Sequence, residues 1–308
     1  MPGKGRHIPA LARFRENPCL NPTAIDSAEK GWYNNVTIKN FFGGIMQSVL
    51  ITGASGGMGR AAVESFLASG YRVFALDIKA GEYPDGVISL VGDVTDEASL
   101  LAALEETKKS TDSLDAILHF AGIYMLDSLV EMSDEAFSRI LNINLRGAYL
   151  VNKTFLPLLR RGSRIVITTS ELATLDPLPF TGIYAVTKAA LDKYAFSLRM
   201  ELQLLGISVS VLRSGAVKTD MIDASCVALD RFCSGTALYS CNAKRFKSIV
   251  DRVEARSVSP ARLAKKCLKI IGKKRPRFAY SINRNPLLRL LNILPDGMQF
   301  AIIKRILR

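Results

Sequence analysis

Short, nearly continuous apolar runs recur along the chain, separated by longer stretches in which apolar residues return every three or four positions. The runs read as buried strands and the stretches as amphipathic helices. Strands are predicted at residues 48–52, 72–77, 86–91, 114–121, 164–169 and 207–213. Helices are predicted between them at 57–69, 96–109, 133–159 and 182–205, the second with Thr95 as N-cap and the third opened by Ser133. Strict strand–helix alternation means βαβ units and a parallel sheet covered on both faces. The expected fold class is therefore α/β, a doubly wound parallel sheet in three α/β/α layers forming a single domain. No repeat of solenoid length is present.

The two ends break this rhythm. Residues 1–45 show no steady period and contain Pro2, Pro9, Pro18 and Pro22. Their apolar stretch 8–14 is interrupted by Pro9 and Arg13, a poor core for a signal peptide. They are expected to be a poorly ordered extension, or to precede a natural start at Met46. The main domain is placed at 46–285. After it, 286–294 and 298–308 read as two short basic amphipathic helices broken at Pro295.

Composition narrows the function classes. The chain of 308 residues is 48% hydrophobic and 22% charged, which excludes a disordered, collagen-like or disulfide-scaffold protein. Its five cysteines form no C-x-x-C pair, which suggests reduced thiols in a cytoplasmic setting. Two histidines are too few and too scattered for a histidine metal site, so no metal is expected. The net charge of +13 is unevenly spread: +3 over 1–45, −5 over 46–243 and +15 over 244–308. A mildly acidic body argues against a nucleic-acid partner. The basic tail fits peripheral contact with an anionic membrane surface, or packing on the body or on another subunit.

Four motifs carry chemistry. Thr52-Gly-Ala-Ser-Gly-Gly-Met-Gly59 follows a strand and opens a helix. Its glycines let the backbone approach a pyrophosphate, and the helix N-terminus supplies N–H donors. Asp77 ends the second strand, where a carboxylate accepts from adenosine ribose hydroxyls and repels a 2′-phosphate; this favours NAD, while nearby Lys79 leaves NADP open. Asp93-Val94 follows the third strand, as an adenine contact or a turn. Tyr184 and Lys188 sit four apart on one helix face. A phenol is a poor base at neutral pH unless a cation favours its phenolate.

With these motifs in this order, the sequence resembles the short-chain dehydrogenase/reductase family, single-domain branch, over about 48–219. The family's Thr-Gly-x-x-x-Gly-x-Gly pattern falls on Thr52, Gly53, Gly57 and Gly59. Its catalytic Ser, Tyr and Lys fall on Ser170, Tyr184 and Lys188. Its Asn-x-x-Gly falls on Asn144 and Gly147, and its Pro-Gly-x-x-x-Thr segment on Ser214, Gly215 and Thr219. The resemblance implies a Rossmann-type fold, an NAD(P) cofactor and a homo-oligomer. It implies cofactor contacts at Gly53, Ser55, Gly57, Met58, Gly59, Asp77, Asp93, Val94, Ala121, Gly122, Gly215, Val217 and Thr219. It also implies roles: Ser170 bonds the substrate oxygen, Tyr184 moves the proton, and Lys188 binds the nicotinamide ribose and lowers the Tyr184 pKa. Asn144 then holds a relay water, and Thr219 anchors the carboxamide.

The sequence departs from the pattern in places. His119-Phe-Ala-Gly122 replaces Asn-Asn-Ala-Gly, losing a bracing hydrogen bond, with His119 expected as a packed structural residue. Ser214 replaces proline. Ser170 lies 14 residues before Tyr184, one more than the common spacing, which leaves Thr168 and Thr169 as fallback hydroxyls. Gly56 also lets the turn fit the epimerase-like pattern. Residues 220–247 are expected to form a substrate lid, with Leu229, Phe232, Leu238 and Tyr239 as an apolar underside or simple packing. The expected function is an NAD(P)-dependent oxidoreductase interconverting a secondary alcohol and a ketone on a hydrophobic, steroid- or retinoid-like molecule. An epimerase-like enzyme on a nucleotide sugar and a catalytically silent dinucleotide-binding regulator are the alternatives.

Overall fold

The computed structural model describes residues 46–219, 229–254 and 257–308, with only the backbone at 251–254. The predicted extension 1–45 and the first part of the lid, 220–228, lie outside the described residues. Seven strands form one parallel sheet: β1 (Ser48–Thr52), β2 (Arg72–Asp77), β3 (Val87–Val91), β4 (Leu114–His119), β5 (Leu159–Ser170), β6 (Ser208–Ser214) and β7 (Ala279–Ile282). Their order is β3-β2-β1-β4-β5-β6-β7. The order reverses between β1 and β4, where an open α/β sheet leaves a crevice at its carboxyl edge.

Side-chain alternation builds two cores. Leu50 and Ile117 point to one face with Phe74 and Phe155, while Val49, Ile51 and Leu118 point to the other with Phe66. The first face is covered by α2 (Glu97–Lys108), α4 (Gly147–Phe155) and α5 (Gly182–Leu202), the second by α1 (Gly57–Leu67) and α7 (Pro260–Ile271). Burial on both faces explains why the strands read as unbroken apolar runs. Between α5 and α7 lie residues 229–235 and α6 (Ser240–Glu254), which include the described part of the segment expected as a lid, 229–247. After β7 come α8 (Pro286–Leu291) and α9 (Asp296–Leu307). No helix among the described residues is long and apolar enough to cross a membrane.

Several boundaries differ from the pattern-based reading. Asp96, not Thr95, caps α2, accepting from Ala98 N at 3.0 Å, while Thr95 Oγ1 donates to Asp93. The helix predicted at 133–159 is α3 (Asp134–Leu141), a π turn Asn142–Arg146 and α4, and it stops at Phe155. Pro157 then follows in a short 3-10 turn, where a missing N–H costs little. β5 begins at Leu159 because Leu159 pairs with Leu114 around a bulge. β4 ends at His119 rather than at 121, and the last strand is 279–282.

Candidate active site

The glycine turn is fixed by backbone contact. Gly53 has φ +65°, and a Cβ there would lie 2.5 Å from Ala121 N; one on Gly59 would lie 2.1 Å from Gly53 O. Only glycine fits either place, so β1, the turn and the segment after β4 close to backbone distance. The result is a cleft of about 480 Å³ at the point where the strand order reverses. Gly53, Ser55, Gly57, Met58, Gly59, Asp77, Asp93, Val94, Ala121, Gly122 and Thr219 line it, as expected from the sequence. Phe120, Ile123, Arg139 and Ile143 line it as well and were not anticipated. Arg139 and Ile143 stand four apart on one helical face, the one signal that points to them.

Asp77 is held for its place. Its Oδ2 accepts from Ser55 N at 2.9 Å and its Oδ1 from Ile78 N at 2.8 Å. Asp93 is both turn former and wall: its Oδ1 accepts from Thr95 N at 2.8 Å and from Thr95 Oγ1 at 2.7 Å. Two expected contacts stand back from the cleft lining. Gly215 has its α-carbon against the Asn283 carbonyl, and Val217 is buried in the second core. Without the family's proline, the loop is held by Gly215 N donating to Ile282 O at 2.9 Å and by the Ser214 hydroxyl donating to Thr169 O at 3.4 Å.

At the inner end of the cleft a small recess is bounded by Met58, Phe120, Thr168, Tyr184, Lys188 and Ser214. The Ser170 hydroxyl hydrogen-bonds the Tyr184 phenol. The Lys188 ammonium lies 5.5 Å from the centre of the Tyr184 ring and donates to Thr168 O at 3.4 Å. Tyr124 packs edge-on against Tyr184 with centroids 4.6 Å apart. The extra residue before Tyr184 is thus absorbed in the loop, and of the candidate hydroxyls Ser170 meets the phenol. The Thr169 hydroxyl donates to Asp192 Oδ1, and the two oxygens of the Asp192 carboxylate also receive a bidentate pair from Arg213.

Burial dominates the electrostatics here. It pushes the Tyr184 phenol up to about 12, opposed only by the Ser170 hydrogen bond. The same burial pulls Lys188 down to about 8. The phenol is therefore a protonated donor at neutral pH.

The π turn carries Asn144 inward. Its Nδ2 donates to Ile123 O at 2.9 Å and to Thr187 Oγ1 at 3.1 Å, and its Oδ1 accepts from Ile123 N at 2.8 Å. These three bonds tie its side chain to Ile123 and to α5. His119 is buried, hydrogen-bonded through Nε2 to Asn152 Oδ1 at 2.9 Å, and held neutral with its pKa down at about 4. Asn152 Nδ2 in turn donates to Tyr194 at 3.1 Å, so the brace lost with the family's asparagine is replaced by a buried polar chain.

The residues present fit a dinucleotide: a glycine cradle with no room for side chains, a carboxylate at the ribose position, and a buried Thr168 hydroxyl in the recess without a partner. The family model for short chain dehydrogenases matches residues 47–226. The chain belongs to the short-chain dehydrogenase family. It is an NAD(P)-dependent oxidoreductase acting on CH–OH groups and ketones. A 3-ketodihydrosphingosine reductase of Bacteroides thetaiotaomicron is 27% identical over 263 residues, covering 83% of this chain and 96% of that protein. An NADPH-dependent 1-acyldihydroxyacetone phosphate reductase of Schizosaccharomyces pombe is 32% identical over 177 residues, covering 56% and 60%. A 3-ketoacyl-(acyl-carrier-protein) reductase from Brucella melitensis, solved with NADH, superposes with TM-score 0.63 at 23% identity, covering 77% of this chain and 96% of that one.

Proposed function

We propose that this enzyme interconverts a secondary alcohol and a ketone on a hydrophobic, long-chain lipid. The observation that carries the reading is the hydrogen-bonded Ser170–Tyr184 pair, with Lys188 beside the ring, at the inner end of the cofactor cleft. Tyr184 holds its proton at neutral pH and donates it to a carbonyl oxygen as negative charge develops there. Ser170 fixes that oxygen by a second hydrogen bond. Lys188 binds the ribose hydroxyls and favours the phenolate left behind. Asn144 braces the wall at Ile123. A bound nicotinamide supplies or accepts the hydride. Asp77, already oriented by Ser55 N and Ile78 N, favours NAD by repelling a 2′-phosphate.

The lipid class rests on two supports. Leu229, Phe232 and Tyr239 form an apolar lid core with Phe180 and Phe246; Leu238 is exposed and takes no part. Two relatives, one matching nearly over its whole length, are named for reducing lipid ketones. This shifts the expectation from steroids and retinoids toward acyl chains. Exposed Tyr149, Phe196 and Met200 on α4 and α5 support a homo-oligomer. We place the enzyme in the cytoplasm, in peripheral contact with a membrane through its basic tail.

The test follows nicotinamide absorbance with NAD(H) and NADP(H) against long-chain 3-keto lipids, hydroxysteroids and retinol. Turnover on the lipids is expected, and Tyr184→Phe is expected to cut it by about 10²- to 10⁴-fold with cofactor affinity unchanged. A redox-neutral product would point to epimerase-like chemistry, and cofactor binding without any turnover to a regulator.

A further inference from the structure

β7 runs parallel to the other six strands, so it ends at the same edge of the sheet as the glycine turn and Ser170. The tail is therefore delivered to the mouth of the site. Its inner side is fastened on two fronts. Beside Ser170, Glu171 Oε2 accepts from Asn285 N at 2.6 Å, and Asn292 Oδ1 accepts from Asp176 N. On the lid, Asn242 Nδ2 of α6 donates to Leu307 O at 2.7 Å, and Ile303 and Leu307 of α9 pack into the lid core.

Among the described residues, the outer side has no such partners. Ile293 is 77% exposed, Phe300 72% and Leu287 66%, with Leu290 exposed one turn on from Leu287. Single exposed apolar residues are ordinary, but large ones clustered on two neighbouring short helices mark a contact surface. Phe300, Lys304 and Arg308 follow one another at i, i+4, so basic groups share the outer face. Residues 284–308 hold five Lys or Arg against the single acid Asp296, while 46–243 carries a net −5. A basic, apolar face on an otherwise acidic body complements an anionic apolar surface.

We infer that the outer face of α8 and α9 docks on an anionic lipid bilayer, its apolar side chains among the acyl chains and its basic ones among the headgroups. The inference deepens the lipid-ketone reading and, for its purpose, rests on it: the bilayer is the source of the substrate. The docked helices are tied to Glu171 beside Ser170 on one side and to α6 on the other, which would hold the site close to the membrane that supplies the lipid ketone.

The test needs no substrate. The full chain is sedimented with phosphatidylcholine vesicles, with and without phosphatidylglycerol. Binding is expected only when phosphatidylglycerol is present, and is expected to weaken by about tenfold or more as salt is raised. Lys304→Glu is expected to weaken it by about fivefold or more, and Phe300→Ser with Ile293→Ser to abolish it. NADH binding and melting temperature, unchanged in these surface variants, show that they are folded. Failure of the wild type to bind, or variants that bind as well as the wild type, would overturn the proposal. So would a wild-type dimer that dissociates in Phe300→Ser without any vesicle binding, which would assign the face to a second copy. Vesicle binding without turnover of lipid ketones leaves the docking face standing and sinks the substrate reading; turnover without vesicle binding does the reverse.

Discussion

In the cofactor cleft backbone meets backbone, whereas under the lid ring meets ring. The cleft is shaped by Gly53 and Gly59, whose α-carbons lie so close to other main chain that no side chain fits. The lid is held by Phe180, with Phe232, Tyr239 and Phe246 around it at centroid distances of 4.6, 5.2 and 5.4 Å. The first arrangement is rigid, because a packed backbone has nowhere to move. The second is a satellite core joined to the body through a few side chains, and such cores open locally before the whole molecule does. A dinucleotide is the same in every reaction cycle and suits a fixed cradle. On the lipid-ketone reading proposed above, a bulky substrate has to enter and leave, and suits a separable cover.

The sharpest way to break the contrast is Gly59→Ala. The added carbon collides with Gly53 O, so cofactor affinity is expected to fall by at least about 100-fold, which titration of NADH fluorescence would read. Next comes a matched pair. Phe74→Ala, in the sheet core, is expected to cost about 3–5 kcal/mol in global denaturant unfolding. Phe246→Ala removes the same ring from the lid core, and is expected to change global unfolding by less than about 1 kcal/mol. Its effect should appear instead as faster hydrogen exchange in residues 240–250. Equal global losses for the two variants would mean that lid and body unfold together.

The smallest effect concerns His119, buried at the end of β4. Its pKa is lowered from 6.5 to about 4 by burial, so the unfolded chain binds the proton more readily than the folded one. The stability it contributes is present above pH 6.5 and is lost as pH falls toward 4. Unfolding free energy is expected to drop by about 1 kcal/mol between pH 7 and about pH 5.5 on this account. His119→Gln, which keeps a donor for Asn152, should flatten that part of the profile.

The same contrast explains what could be read from the chain. The glycines, Asp77 and the Tyr184–Lys188 pair were legible because each is a local requirement: a turn too tight for a Cβ, a strand end, a four-residue helical step. So were the strands, whose burial on both faces writes itself as apolar runs. The π turn at Asn142–Arg146 was not legible, since its cause is the bonding of Asn144 to Ile123, 21 residues away. Arg139 was missed, and Leu238 was expected on the apolar underside but is exposed, for the same reason: whether a side chain faces a cleft or solvent depends on elements distant in sequence. The depressed pKa of Lys188 likewise depends on burial that no spacing reveals.

Phe180 carries one more consequence. Its φ of 67° lies in the left-handed region, where glycine is at ease and a large side chain is not, yet its ring is the hub of the lid cluster. Backbone and side chain therefore ask for different residues at one position. A glycine relaxes the first and empties the second, while another aromatic does the opposite, so no single replacement improves both. The tightness of the cover is then adjustable only by coordinated changes at Phe180 and its ring partners. Reshaping this ring cluster therefore calls for paired substitutions, and the position acts as a ratchet on how the cluster can change.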